Sequence, residues 1–118
     1  MEHAMNLTSR THDGILILTP DTDRIDAAGA IYLKDQFRSA TAGVEGRVVM
    51  DLAGVTFMDS SGLGAIVSAL KLLPGRKLEL AGLTPVVAKV FKLTQMDQVF
   101  TIHQALSDVT KGDGANAA

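Results

Sequence analysis

The chain has 118 residues, 47% of them apolar and 20% charged, with 11 Lys plus Arg against 13 Asp plus Glu and no cysteine. That length suits one domain, and a chain of this size buries about two-thirds of its unfolded surface. The charge balance argues against a direct nucleic-acid partner, which needs a concentrated basic face, and the lack of cysteine excludes disulfides, thiol nucleophiles and thiolate metal sites.

Met5 to Thr11 alternates loosely between apolar and polar residues, and His12-Asp13-Gly14 is a turn signal. Ile15 to Leu18 is an apolar strand, so a hairpin is expected to open the fold. Thr19-Pro20-Asp21-Thr22-Asp23 breaks the chain. A helix is predicted from Ala27 to Ala42, with Asp26 as its cap and Ala30, Leu33 and Phe37 as its buried stripe.

Thr41 to Gly46 is a polar connection into Val48, Val49, Met50 and Leu52, a run that reads as a strand covered on both faces. Val55, Phe57 and Met58 carry the apolar character up to an abrupt polar cluster, Asp59, Ser60 and Ser61. Leu63, Ile66, Val67 and Leu70 then recur at helical spacing and predict one buried stripe. Two readings of the cluster stand side by side. Asp and Ser side chains cap helices, worth about 1 kcal/mol. Yet Gly62 and Gly64 follow at once, and each glycine costs a helix about 1 kcal/mol relative to alanine. Bare backbone beside two hydroxyls suits the close approach of another protein. Ser61, Ala65 and Ser68 are small and fall on one line, either a docking strip or a solvated face with short side chains.

Pro74-Gly75-Arg76 stops the helix, and Lys77 to Ala81 alternates Leu78 and Leu80 as a further strand. Thr84 followed by Pro85 predicts a capped helix start, with Val87, Val90 and Phe91 recurring at helical spacing and Leu93 close behind. Thr94 to Gln98 ends that helix, Val99 to Ile102 makes a last strand, and Ala105, Leu106 and Val109 suggest a short final helix. Residues 1–4 and 112–118 are expected to be flexible ends of a single domain spanning 1–118. The order β-β-α-β-α-β-α-β-α predicts an α/β fold: a mixed, mostly parallel sheet of about four to five strands with about four helices. The longest apolar-rich stretch, Leu63 to Leu73, is too short to span a bilayer and carries Lys71, so no membrane insertion is expected. The opening MEHAMN lacks the apolar core of a secretory signal, and a cytoplasmic location is expected.

Intrinsic catalysis finds little support. A serine hydrolase needs an oriented base and an oxyanion hole, and Gly-x-Ser-x-Gly spacing is absent around Ser60. His3, His12 and His103 are scattered, show no metal-ligand spacing, and have no evident acidic partner. Gly62-Leu63-Gly64 is too short for a phosphate-binding loop and lacks its lysine.

The run from Asp51 to Gly64, Asp-Leu-Ala-Gly-Val-Thr-Phe-Met-Asp-Ser-Ser-Gly-Leu-Gly, closely resembles the signature of STAS domains. Within them it is most similar to the anti-sigma-factor antagonists of bacterial partner-switching systems. Asp23-Arg24-Ile25-Asp26 resembles that family's Gly-Glu-Leu-Asp-like segment, with the acidic match at Asp26 and Asp23 in place of the glycine. Leu83 to His103 resembles the family's C-terminal pattern. The resemblance implies a STAS fold and a non-enzymatic switch, in which the first serine after Met-Asp, here Ser60, is phosphorylated. It implies two partners, a GHKL-type serine kinase that doubles as the anti-sigma factor and a PPM-type serine phosphatase. ATP would belong to the kinase, and no cofactor or metal is expected here. Partner contacts are expected at Asp26, Asp59, Ser60, Ser61, Gly62, Leu63, Gly64, Ala65 and Ser68, although capping alone accounts equally for Asp26. The alternative is a STAS module used as a constitutive scaffold subunit of a transport or other signalling assembly.

Overall fold

The computed structural model describes residues 5–110; the expected flexible ends at 1–4 and 112–118, and His3, lie outside them. Asp13 and Gly14 both take positive φ, 50° and 79°, the two-residue turn whose twist matches that of a hairpin. It joins β1 (Leu7–His12) to β2 (Ile15–Pro20) in antiparallel register, His12 opposite Ile15. Three parallel strands then extend the sheet: β4 (Val48–Asp51), β6 (Glu79–Ala81) and β7 (Thr101–His103). The sheet is five-stranded in the order β1-β2-β4-β6-β7, with the hairpin as its antiparallel edge. The expected α/β architecture and mostly parallel sheet are what is found.

Strand periodicity sorts the core onto two faces. Leu16, Leu18, Val48, Met50 and Leu80 join the main core with Leu33 and Phe37 of α1 (Ala27–Thr41), Ile66 of α2 (Ser60–Lys71), and Val87 and Phe91 of α3 (Pro85–Leu93). Ile15, Ile17, Val49 and Ala81 point the other way and are covered by Val109, within the helical residues 107–110, and by Leu106 just before them. Val48, Val49 and Met50 are fully buried, as a strand covered on both faces requires.

Several expectations need correcting. A second, two-stranded parallel sheet, β3 (Arg24–Ile25) with β5 (Phe57–Met58), lies outside the predicted order. Strands of two residues are too short to show a period. The buried face of α2 is Gly62, Ala65, Ile66 and Ala69, whereas Leu63, Val67 and Leu70 are only partly buried at its margin. α1 and α2 pack on each other, and this packing, which helical spacing alone does not reveal, sets which face of α2 is covered. Thr84 precedes α3 but accepts no capping bond; its Oγ1 donates to the carbonyl of Val55 at 2.8 Å instead. Leu93 is 73% exposed, because two residues past the buried Phe91 it falls about 200° round the helix, on the opposite face. Val99 is exposed too, and the last strand starts later than expected, after the buried Phe100. Among the described residues no helix is long and apolar enough to cross a membrane.

Candidate functional site

β3 and β5 run parallel with Arg24 opposite Phe57 and Ile25 opposite Met58. Ile25 and Met58 are buried, so alternation turns Arg24 and Phe57 outward together. The Arg24 guanidinium carbon sits 4.3 Å from the centroid of the Phe57 ring, a cation–π contact. Two residues past this rung, each strand becomes a helix cap. Asp26 and Asp59 share extended backbones, φ −116° and −102°. The Asp26 Oδ1 accepts from the Gly29 N–H at 3.2 Å, and the Asp59 Oδ1 from the Gly62 N–H at 2.9 Å. The Asp59 N–H in turn donates to the Ile25 carbonyl at 3.4 Å, so the two helix starts are tied side by side.

Asp59 fills the cap of α2 alone. Ser60 and Ser61 occupy the first two helical positions, both exposed, and neither hydroxyl hydrogen-bonds another described residue. Gly64 is exposed, and a Cβ there would meet nothing within 4 Å. Ser68 is half-buried further along the same side. The outward strip is therefore Ser60, Ser61, Gly64 and Ser68.

Gly62 and Ala65 do not belong to that strip and are corrected here. Ala65 is 2% exposed and packs in the core. A Cβ on Gly62 would lie 2.2 Å from the Ile25 carbonyl oxygen, so the missing side chain there makes room for β3. The neighbouring strand therefore needs that glycine. Leu63 is half-buried against the core.

Across residues 21–30 and 54–64 the side chains include Asp21, Asp23, Asp26 and Asp59 but one base, Arg24. The Gly29 N–H bond, helped by Arg24, holds the Asp26 carboxyl below its usual range against the opposing effect of desolvation. The Asp23 backbone carbonyl accepts from the Thr56 N–H at 2.8 Å and the Phe57 N–H at 3.1 Å, clamping the loop before β3 onto the start of β5. Arg24 and Phe57 were not recognisable as a pair in the sequence, since only their register brings them together.

His12 and His103 take no part in this site. His103 does have an acidic partner, contrary to expectation: its Nε2 lies 2.8 Å from Glu79 Oε1, and Arg47 donates to the same carboxylate at 2.9 and 2.7 Å. Glu79 pairs with Thr101 on the adjacent strand β7, and His103, two residues further along that strand, reaches it diagonally. His12 Nε2 contacts the Thr110 carbonyl at 3.2 Å. Neither ring is hydrogen-bonded to a serine among the described residues. Among those residues no group of three or more His, Cys, Asp or Glu is placed to hold a metal ion.

The STAS domain family model matches residues 6–109. Over 107 residues the chain is 37% identical to the anti-sigma-B factor antagonist of Listeria monocytogenes, covering 82% of this chain and 91% of that protein. Its structure superposes on an anti-sigma factor antagonist from Mycobacterium paratuberculosis with a TM-score of 0.80 at 23% identity, over 89% of this chain and 90% of that one. The phosphorylated form of the Bacillus cell fate determinant SpoIIAA gives 0.63 at 17% identity, over 90% and 96%. At those identities the two structural likenesses show a shared fold.

Proposed function

The chain belongs to the STAS family, and from that membership we propose that it acts as an anti-sigma factor antagonist switched by phosphorylation of Ser60. The observation that carries this reading is the division of labour at the start of α2. Asp59 supplies the cap, which leaves the exposed Ser60 hydroxyl without a structural task. In this reading the protein is the substrate and not the catalyst. A GHKL-type kinase that is also the anti-sigma factor transfers the γ-phosphoryl group of ATP. The Oγ–P bond forms as the bridging bond to ADP breaks, and the hydroxyl proton passes to the kinase. A PPM-type phosphatase returns the serine by hydrolysis. The unmodified form docks on the anti-sigma factor through Ser60, Ser61, Gly64 and Ser68, with Asp26 and Asp59 alongside, and so frees the sigma factor.

The switch works by exclusion at the interface, with the fold kept. Phosphate adds a charge of about −1.5 to −2, which a helix N-terminus favours by about 0.3–1 kcal/mol. The Asp59 and Asp26 carboxylates oppose part of that gain. An interface shaped around a hydroxyl lacks donors for a dianion, and a loss of about 3 kcal/mol there is about a hundredfold in affinity. Incubation with the cognate kinase and ATP, followed by mapping, should label Ser60 alone. Label on Ser61, or label that persists in Ser60→Ala, overturns the assignment. Ser60→Asp should keep the melting curve while weakening kinase binding about a hundredfold by calorimetry.

A further inference from the structure

We propose that Arg24 is the internal receptor for a phosphate on Ser60: once Ser60 is modified, the guanidinium leaves Asp26 and pairs with the phosphate across the β5–α2 turn. The inference deepens the reading of Ser60 as the modified residue and rests on it.

Charge makes the first argument. A phosphate on Ser60 directly follows Asp59, whose N–H is tied to the residue before Asp26, and across residues 21–30 and 54–64 Arg24 is the only cation against four aspartates. Geometry makes the second. Arg24 shares its rung with Phe57, three residues before Ser60. At about 3.3 Å per residue that offset is at most about 10 Å along the strand, a span that an extended arginine and a phosphoserine close from both ends. The third argument is that Arg24 is held loosely now. Its Nε lies 3.5 Å from Asp26 Oδ2, at the outer limit of a hydrogen bond, and both side chains are substantially exposed. Exposed pairs of this kind contribute little. Its Nη nitrogens bond no described residue. The contact with the Phe57 ring is made by the guanidinium carbon at 4.3 Å and uses none of its N–H groups, so the Nη groups are available for the two parallel bonds that a phosphate accepts. Asp26, released, keeps its bond to the Gly29 N–H, so the cap of α1 survives the exchange.

The test installs phosphoserine at position 60 during translation, so that no kinase is needed, and follows the phosphate by 31P NMR as pH is varied. Phosphoserine ordinarily loses its second proton, passing from monoanion to dianion, at a pH of about 6. The Arg24 protein should titrate below that, and Arg24→Gln should raise the midpoint by about half a unit or more, with Arg24→Lys in between. An unchanged midpoint in Arg24→Gln overturns the proposal. A second measurement needs no substitution. The Arg24 side-chain N–H signals should shift on modification and titrate together with the phosphate, and signals that do not move overturn the proposal equally. Failure of the kinase to label Ser60 would instead defeat the switch reading, and it leaves these two measurements standing on their own.

Discussion

Asp26 and Asp59 cap neighbouring helices from the ends of two in-register parallel strands, and the Asp59 N–H donates to the carbonyl of Ile25, the residue before Asp26. The register aligns Arg24-Ile25-Asp26-Ala27-Ala28-Gly29 with Phe57-Met58-Asp59-Ser60-Ser61-Gly62. The same strand-to-helix turn is thus built twice, each time with Asp accepting from the N–H of a glycine three residues on. One copy carries two alanines and the other two serines. The copy bearing hydroxyls is the one with a candidate for modification.

Removing a cap tests this pairing. Asp59→Ala should lower the unfolding free energy by about 1 kcal/mol, read from urea denaturation, while Asp59→Asn keeps most of it. Asp26→Ala should destabilise in the same direction. Full stability in Asp59→Ala would mean that Ser60 or Ser61 takes over the capping, which would weaken the case for a free hydroxyl.

The two glycines of α2 should respond in opposite senses. Gly62→Ala drives a Cβ against the backbone carbonyl of Ile25 and should cost about 1–3 kcal/mol or more. Gly64→Ala meets open space and should stabilise the helix by up to about 1 kcal/mol. Equal melting temperatures for the two variants would contradict the close approach of β3.

Glu79 gives the protein an acid-sensitive contact. Hydrogen bonds from Arg47, followed by His103, hold its carboxyl below the ordinary value of 4.5 despite partial desolvation. The folded state therefore resists protonation more than the unfolded chain does. The stability from this source is complete above pH 4.5 and is lost as pH falls through the depressed folded value. Glu79→Gln should flatten the acid limb of the stability–pH curve as well as lower stability at neutral pH. A limb of unchanged slope would show that other carboxylates govern it.

α3 provides a contrast two residues apart. Phe91 is fully buried, edge-on to Phe100 at 5.7 Å between ring centroids, and Phe91→Ala should cost about 3–5 kcal/mol. Leu93 is largely exposed, and Leu93→Ser should fall within about 0.5 kcal/mol of the parent. Denaturation midpoints decide both.

What the amino-acid order determined by itself was local or strongly periodic. Asp13-Gly14 specified the opening hairpin, Asp26 the start of α1, and Ala30, Leu33 and Phe37 its buried face, because each depends on residues within one or two turns of itself. The cluster at Asp59 to Ser61 was visible as a helix start with surplus hydroxyls. Tertiary structure alone decided which face of α2 is covered: Gly62 makes room for the Ile25 carbonyl of β3, Ala65, Ile66 and Ala69 are buried, and Leu63 and Val67 lie at the margin. It also decided that Glu79 meets His103, and that Arg24 meets Phe57, 33 positions away. Such pairs are fixed by strand register between distant segments, which no local periodicity encodes.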